Sequence, residues 1–222
     1  MLKLHLGCGR KYLEGYINID YDTSSHTVQD NLVADRYCDI VGLEYSSNEV
    51  DEIRLHHVFE HFSRPVALAL LCRWRDWLTP RGMLRIETPD LMRAARRLSW
   101  PFVSYTERQQ IVRHLFGSHE ANWAAHWDGW YKGRFERVLE ALGFRDLKFA
   151  FTRWGALHNI EVHAKRGAQD FSFDGYKTVV TALLSDSLIR KVEMGKIGQS
   201  EKMLLQVWID EWESTYLGVK NI

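Results

Sequence analysis

Gly7-Cys8-Gly9 follows directly on the alternating run Leu2–Leu6 and is the first group of residues with a chemistry of its own. A strand ending in Gly-x-Gly lets the backbone pass close to a ligand and aims amide N–H groups into the crevice at the sheet's carboxyl edge. Asp20 closes the next short run, Tyr16–Asp20, where a carboxylate can accept hydrogen bonds from a ribose diol. The turn alone also fits a plain tight turn. The third glycine of the dinucleotide pattern is missing, and only ten residues separate Gly9 from Asp20, which leaves room for barely one helical turn.

A second group is His57-x-x-Glu60-His61, which matches the H-x-x-E-H string of inverted zinc peptidases. On a helix these side chains share a face and could converge on a metal. A peptidase needs a further ligand and another fold, so this reading assigns no residue to a metal and treats Glu60 and His61 as braces beside the ligand loop. A third group is His114, His119, Trp123, His126, Trp127 and Trp130. Tryptophans at this spacing commonly pack, yet an imidazole among them titrates near neutral pH and could take a proton from a hydroxyl.

The elements that must position these groups follow from apolar periodicity. Leu2–Leu6, Tyr16–Asp20, Val50–Leu55, Met83–Thr88, Phe144–Phe151 and Asn159–Ala164 read as strands. Val66–Leu78 has helical spacing in Leu68, Leu71, Trp74 and Leu78, and Thr79-Pro80-Arg81-Gly82 reads as a turn. Asp90 to about Tyr131 looks helical and loop-like. Arg134–Leu142 reads as a helix stopped by Gly143. Strands interleaved with helices predict a mostly parallel sheet covered on both faces. The composition changes after about Arg166, and two helices, Tyr176–Met194 and Ser200–Leu217, are predicted around a linker with Gly195 and Gly198. Leu204, Trp208, Trp212 and Tyr216 recur at i+4 in the second, a packing stripe for the main domain or for a second copy of the chain.

In this order, Leu4-His5-Leu6-Gly7-Cys8-Gly9, Asn18-Ile19-Asp20, Cys38-Asp39-Ile40, Val50-Asp51-Glu52-Ile53 and His57-Val58-Phe59-Glu60-His61-Phe62 resemble the class I S-adenosylmethionine-dependent methyltransferases. More narrowly they resemble the small bacterial, type-11-like group with a shortened first helix. Leu78-Thr79-Pro80-Arg81-Gly82 and Leu142-Gly143-Phe144 match that group's turns before strands five and six. The resemblance covers residues 1–165 or so. It implies a Rossmann-like, doubly wound α/β fold with a mostly parallel seven-stranded sheet over residues 1–166, and leaves 167–222 as a helical C-terminal extension. It implies S-adenosylmethionine as cofactor, held by Leu6, Gly7, Cys8, Gly9, Asp20, Tyr21, Asp39, Ile40, His56 and His57. Gly7 and Gly9 would cradle the amino-acid end, Asp20 the ribose, and Asp39 and Ile40 the adenine. In such proteins the segment holding His126 forms a lid, which makes His126 and then His57 the candidate catalytic residues. Two positions depart from the group: His5 stands where an acid is common, and Arg10-Lys11 closes the turn in place of glycine.

Bulk composition bounds the remaining choices. Lysine plus arginine and aspartate plus glutamate number 29 each, so the formal net charge is zero and nucleic acid is disfavoured as main partner, apart from a local Arg93, Arg96 and Arg97 patch. Three cysteines, without a CxxC pair, form neither a disulfide framework nor a structural zinc site. Neither a signal-type N-terminus nor a membrane-length apolar run is seen, so a cytoplasmic protein is expected. The resemblance implies a small-molecule, sugar or glycolipid acceptor methylated on oxygen, and a homo-oligomer built through the C-terminal helices is a further expectation. The rivals are a methyltransferase-like binding or assembly module without turnover, a nicotinamide enzyme and a metal-dependent hydrolase.

Overall fold

The computed structural model describes residues 1–22, 33–189 and 198–219 of the 222. Its centre is a seven-stranded sheet of β1 (Lys3–Leu6), β2 (Ile17–Asp20), β3 (Arg36–Tyr37), β4 (Val50–His56), β5 (Leu78–Pro89), β6 (Phe144–Trp154) and β7 (Leu157–Arg166). The spatial order is β3-β2-β1-β4-β5-β7-β6. β1 to β5 run parallel, while β7 is antiparallel to both β5 and β6. Strand order reverses beside β1, and in open α/β sheets a ligand crevice lies outside the strand ends at such a point. Leu4, Leu6, Ile19, Ile53, Leu55, Leu84, Ile86, Ile160, Val162 and Ala164 are buried along this sheet.

The β1–β2 connection holds no helix at all, a difference from the shortened helix expected. Asn18 supplies the reason. Its side chain accepts from the Leu13 amide (2.9 Å) and donates to the Leu13 and Tyr16 carbonyls (3.0 and 3.2 Å), so residues 13–18 close on themselves. The predicted turn before the fifth strand is instead part of β5. The strand starts at Leu78, with a register irregularity between Val50 and Glu52 on its neighbour absorbing the extra residues. The hairpin β6–β7 is longer than predicted because its outer end is exposed, where an alternating apolar pattern has nothing to mark.

Among the described residues six α-helices accompany the sheet: α1 (Arg64–Trp77), α2 (Leu91–Leu98), α3 (Tyr105–Phe116), α4 (Lys132–Ala141), α5 (Phe173–Ser185) and α6 (Gln199–Tyr216). Asp90 and Ser104 cap α2 and α3 by accepting from the amides of Arg93 and Glu107, both at 3.1 Å. Arg97 bonds Glu107 (2.8 Å) and Arg93 lies over the Phe151 ring at 3.7 Å, so these arginines are engaged within the fold. α5 stops at Ser185, earlier than predicted; the end of the predicted helix, 190–194, and Gly195 lie outside the described residues.

The C-terminal helices are fastened by the polar side of α1. Arg75 is fully buried and donates to the Tyr176 hydroxyl (3.2 Å) and to the carbonyls of Gly167 (3.4 Å) and Gln169. Asp76 accepts from the hydroxyls of Tyr176 (2.6 Å) and Tyr216 (2.9 Å). Burial is the first cause of the raised Asp76 pKa, and both tyrosine bonds oppose it. Trp212 and Tyr216 stack at 5.4 Å, so that end of the α6 stripe faces the molecule's own core, while Met203, Leu204 and Val207 stay exposed. No described helix is long and apolar enough to cross a membrane.

Candidate active site

The glycine turn is fixed to the sheet before any ligand is considered. The amides of Gly7 and Cys8 both donate to the Ile19 carbonyl, at 2.8 and 3.1 Å. Gly7 sits at φ +68°, and a Cβ there would lie 2.1 Å from Val58 Cγ2, so no other residue fits. Asp20, at the end of β2 and 6% exposed, accepts from the Gly9 amide (2.5 Å) and the Tyr21 amide (2.7 Å). The two bonds hold the carboxylate at the cleft end of β2. Asp39 caps the 3-10 turn Ile40–Gly42 by accepting from the Val41 amide (2.9 Å).

These residues share one cleft of about 740 Å³. Gly7, Cys8, Gly9, Asp20 and Tyr21 line it from the β1–β2 side, Asp39 and Ile40 after β3, and His56 and His57 at the end of β4. Leu6 is fully buried in the core and does not line it. The volume lies in the range that holds a cofactor-sized molecule. Cys8 is pushed up to about 12, first by burial and then by Asp20, so it packs as a thiol and is no nucleophile. Tyr21 is likewise pushed up to about 12, by burial first and the Asp39 charge next. His5 does not reach the cleft: it is buried and its Nδ1 pairs with Asn18 Oδ1 at 3.0 Å. That departure from the family pattern is therefore a packing choice between β1 and β2.

The far wall differs from expectation. Of the histidine and tryptophan group, Trp123 and His126 line the cleft. Trp130 is a core residue, tilted against Phe59 (4.7 Å) and stacked on Phe135 (4.8 Å) under Arg134. His114 bonds Asn159 (2.8 Å) and His119 bonds the Phe116 carbonyl (2.8 Å). Trp127 instead borders a second cavity of about 160 Å³ together with Glu60 and His126. Arg113, Ser118 and Glu120, on and after α3, also line the main cleft and were missed. Their positions depend on how α3 docks, and no spacing signal marks them.

The two candidate bases sit in opposite environments. His126 is drawn down to about 4, mainly by burial, so it is a neutral imidazole and a weak base at physiological pH. At His57 burial also acts downward, yet the bond to Glu60 (3.1 Å) and the charges of Glu60 and Glu87 outweigh it and the pKa is raised. His57 stands at φ 55° directly after β4, a left-handed conformation that turns the chain out of the sheet. The H-x-x-E-H residues do not lie on an α-helix: Phe59–His61 is a single 3-10 turn, and Glu60 is 2% exposed.

Glu87 gives a pH test of this wall. It is held down to about 2, first by the bond from His56 (3.2 Å), with burial opposing and Thr152 donating at 3.1 Å. A depressed carboxyl contributes stability above its unfolded pKa and loses it as pH falls, here from about 4.5 to about 2. Glu87→Gln is expected to remove about 1–2 kcal/mol of acid sensitivity in that window, discounted for partial solvent access. Urea unfolding at pH 7, 4.5 and 3 measures it; a variant with the parental pH slope would rule it out.

No protein-family model matches the chain, and no curated protein matches it at a significant level. Among solved structures, the chain is similar to a SAM-dependent methyltransferase from Archaeoglobus fulgidus, at 17% identity over 74% of this chain and 86% of that one, TM-score 0.50. It is similar to 1,6-didemethyltoxoflavin-N1-methyltransferase from Burkholderia thailandensis, solved with 1,6-didemethyltoxoflavin and S-adenosylhomocysteine, at 13% identity over 75% and 71%, TM-score 0.50. It also spans 62% of a possible exported protein from Bordetella parapertussis, at 16% identity over 75% of this chain, TM-score 0.47. With its strand order, the first two likenesses give the chain the class I S-adenosylmethionine-dependent methyltransferase fold.

Proposed function

We propose that this chain is an S-adenosylmethionine-dependent methyltransferase that acts on a small-molecule acceptor, with a hydroxyl oxygen as the methylated atom. The single observation that carries the reading is the cleft itself. The glycine turn, Asp20, Asp39 and Ile40 come from three separate strand ends and line one volume. The residues fit the cofactor: Gly7 turns the chain at φ +68° on the cleft lining, and the Asp20 carboxylate stands at the end of β2, where it would accept from a diol. Asp39, its Oδ1 already capping the 3-10 turn, would accept from the adenine amino group, and Ile40 would pack on the ring.

The bound cofactor supplies a methyl group already activated by a sulfonium. The protein's work is then proximity, alignment and exclusion of water. Asp20 and the backbone of the Gly7–Gly9 turn would border one partner, while His57, Trp123 and His126 border the space left for the other. The chain's domain organisation is proposed to be a binding domain over 1–166, with 167–222 bracing α1.

Calorimetric titration with S-adenosylhomocysteine and S-adenosylmethionine, with NAD as control, tests the reading. Micromolar binding of the sulfur ligands without NAD binding is expected. Binding of neither sulfur ligand would end the methyltransferase reading.

A further inference from the structure

Behind the cleft wall, Glu60, His61 and His126 bring one ligand atom each to within 4.8 Å of one another. Sixty-four residues separate Ala125 from His61, and the tertiary contact between them builds the group: His61 Nδ1 donates to the Ala125 carbonyl at 3.1 Å. That bond fixes the His61 tautomer and leaves its Nε2 lone pair available. His57 Nδ1 likewise engages Glu60 Oε1, so one carboxylate oxygen is orienting and the other is not. Glu60 Oε2 and His126 Nδ1 are both buried without a hydrogen-bond partner. An acceptor-only carboxylate oxygen left bare in a buried place is costly, and a cation satisfies it. The rings of His61 and His126 meet at 4.6 Å.

We propose that Glu60, His61 and His126 form a binding site for a divalent transition metal of the Zn²⁺ class. Two imidazoles and one carboxylate suit such ions and form a set that leaves a fourth position open. The ligand atoms need only draw in to about 3.4 Å, the spacing expected around a tetrahedral ion with bonds near 2.05 Å. His61 and His126 line the main cleft, so the open position faces the space assigned to the acceptor. There it takes an oxygen donor. A hydroxyl on the metal gives up its proton to water more readily. Only this last role rests on the methyltransferase reading; the binding does not. The histidine–glutamate string thus acts with a residue from a distant segment, and His57 is a positioning residue for Glu60.

The test is calorimetric titration of the chelator-treated full chain with Zn²⁺, with Mg²⁺ compared, and the visible absorption spectrum with Co²⁺. One equivalent of Zn²⁺ is expected, bound more tightly than Mg²⁺, with an intense Co²⁺ band of four-coordinate type. Glu60→Gln and His126→Ala should each weaken Zn²⁺ at least about tenfold and remove the band, while His119→Gln changes neither. S-adenosylhomocysteine binding, measured alongside, separates the two readings: if it fails and Zn²⁺ binds, only the methyltransferase reading falls. Absence of Zn²⁺ binding to the parent chain, or binding unchanged in both cluster variants, overturns the site. If either variant does not fold, the parent's Co²⁺ spectrum decides, and a weak six-coordinate spectrum overturns it.

Discussion

Asp20→Ala is expected to weaken S-adenosylhomocysteine binding by about a hundredfold or more. Charge-assisted hydrogen bonds are worth about 1.5–3 kcal/mol each, and two of them to a diol give about 3 kcal/mol, or two decades in Kd. The carboxylate also accepts from the Gly9 and Tyr21 amides, so its removal frees the turn that lies against the ligand. Asp20→Asn keeps the shape and part of the bonding and should fall between the two. Calorimetry of the three proteins under one buffer provides the measurement. Parental affinity in Asp20→Ala would mean that the ligand does not sit at the end of β2.

Trp212→Ala is expected to cost about 3–5 kcal/mol of folding stability, the range for removing a buried tryptophan. Trp212 is fully buried, stacked against Phe173 at 5.6 Å and Tyr216 at 5.4 Å. Its loss opens a cavity where α6 meets α1, whose buried arginines and Asp76 have partners that cannot move in to fill it. For a chain of this size the melting temperature should drop by about 10 °C. Leu204→Ala, on the exposed end of the same stripe, should cost less than about 1 kcal/mol. Cofactor affinity below the transition should be unchanged, because Trp212 does not line the cleft. Equal stabilities for the two variants would show that α6 contributes little to the core.

Most of the residues that line the glycine-turn end of the cleft were legible because their signals are local. A Gly-x-Gly after a strand, a carboxylate at the next strand end, and Asp39-Ile40 after the third each state a backbone or hydrogen-bond requirement within a few residues. Strands β1, β2 and β4 were legible for the same reason: apolar and polar residue types alternate along β1, β2 and the Ile53–His56 part of β4. The sheet's carboxyl edge then gathers these residues without further instruction.

Long-range packing decided the rest. Nothing nearby in sequence indicates that carbonyls from residues 41, 43, 167 and 169 converge on Arg73 and Arg75 of α1. Trp130 and Trp123 have the same side chain and lie seven residues apart, yet one fills the core and the other borders the cleft. Docking of the segment after α3 settles that difference, and spacing does not. His57-x-x-Glu60-His61 suggested one helical face, whereas the 3-10 turn splits it, giving His57 to orient Glu60 and bringing His126 from a distant loop to join His61. The sequence by itself thus determined the fold and the glycine-turn edge of the cleft, where chemistry is written in neighbouring residues. Only the tertiary structure decided the far wall of the cleft and the seat of the C-terminal helices, because there each group's environment is set by residues tens of positions away.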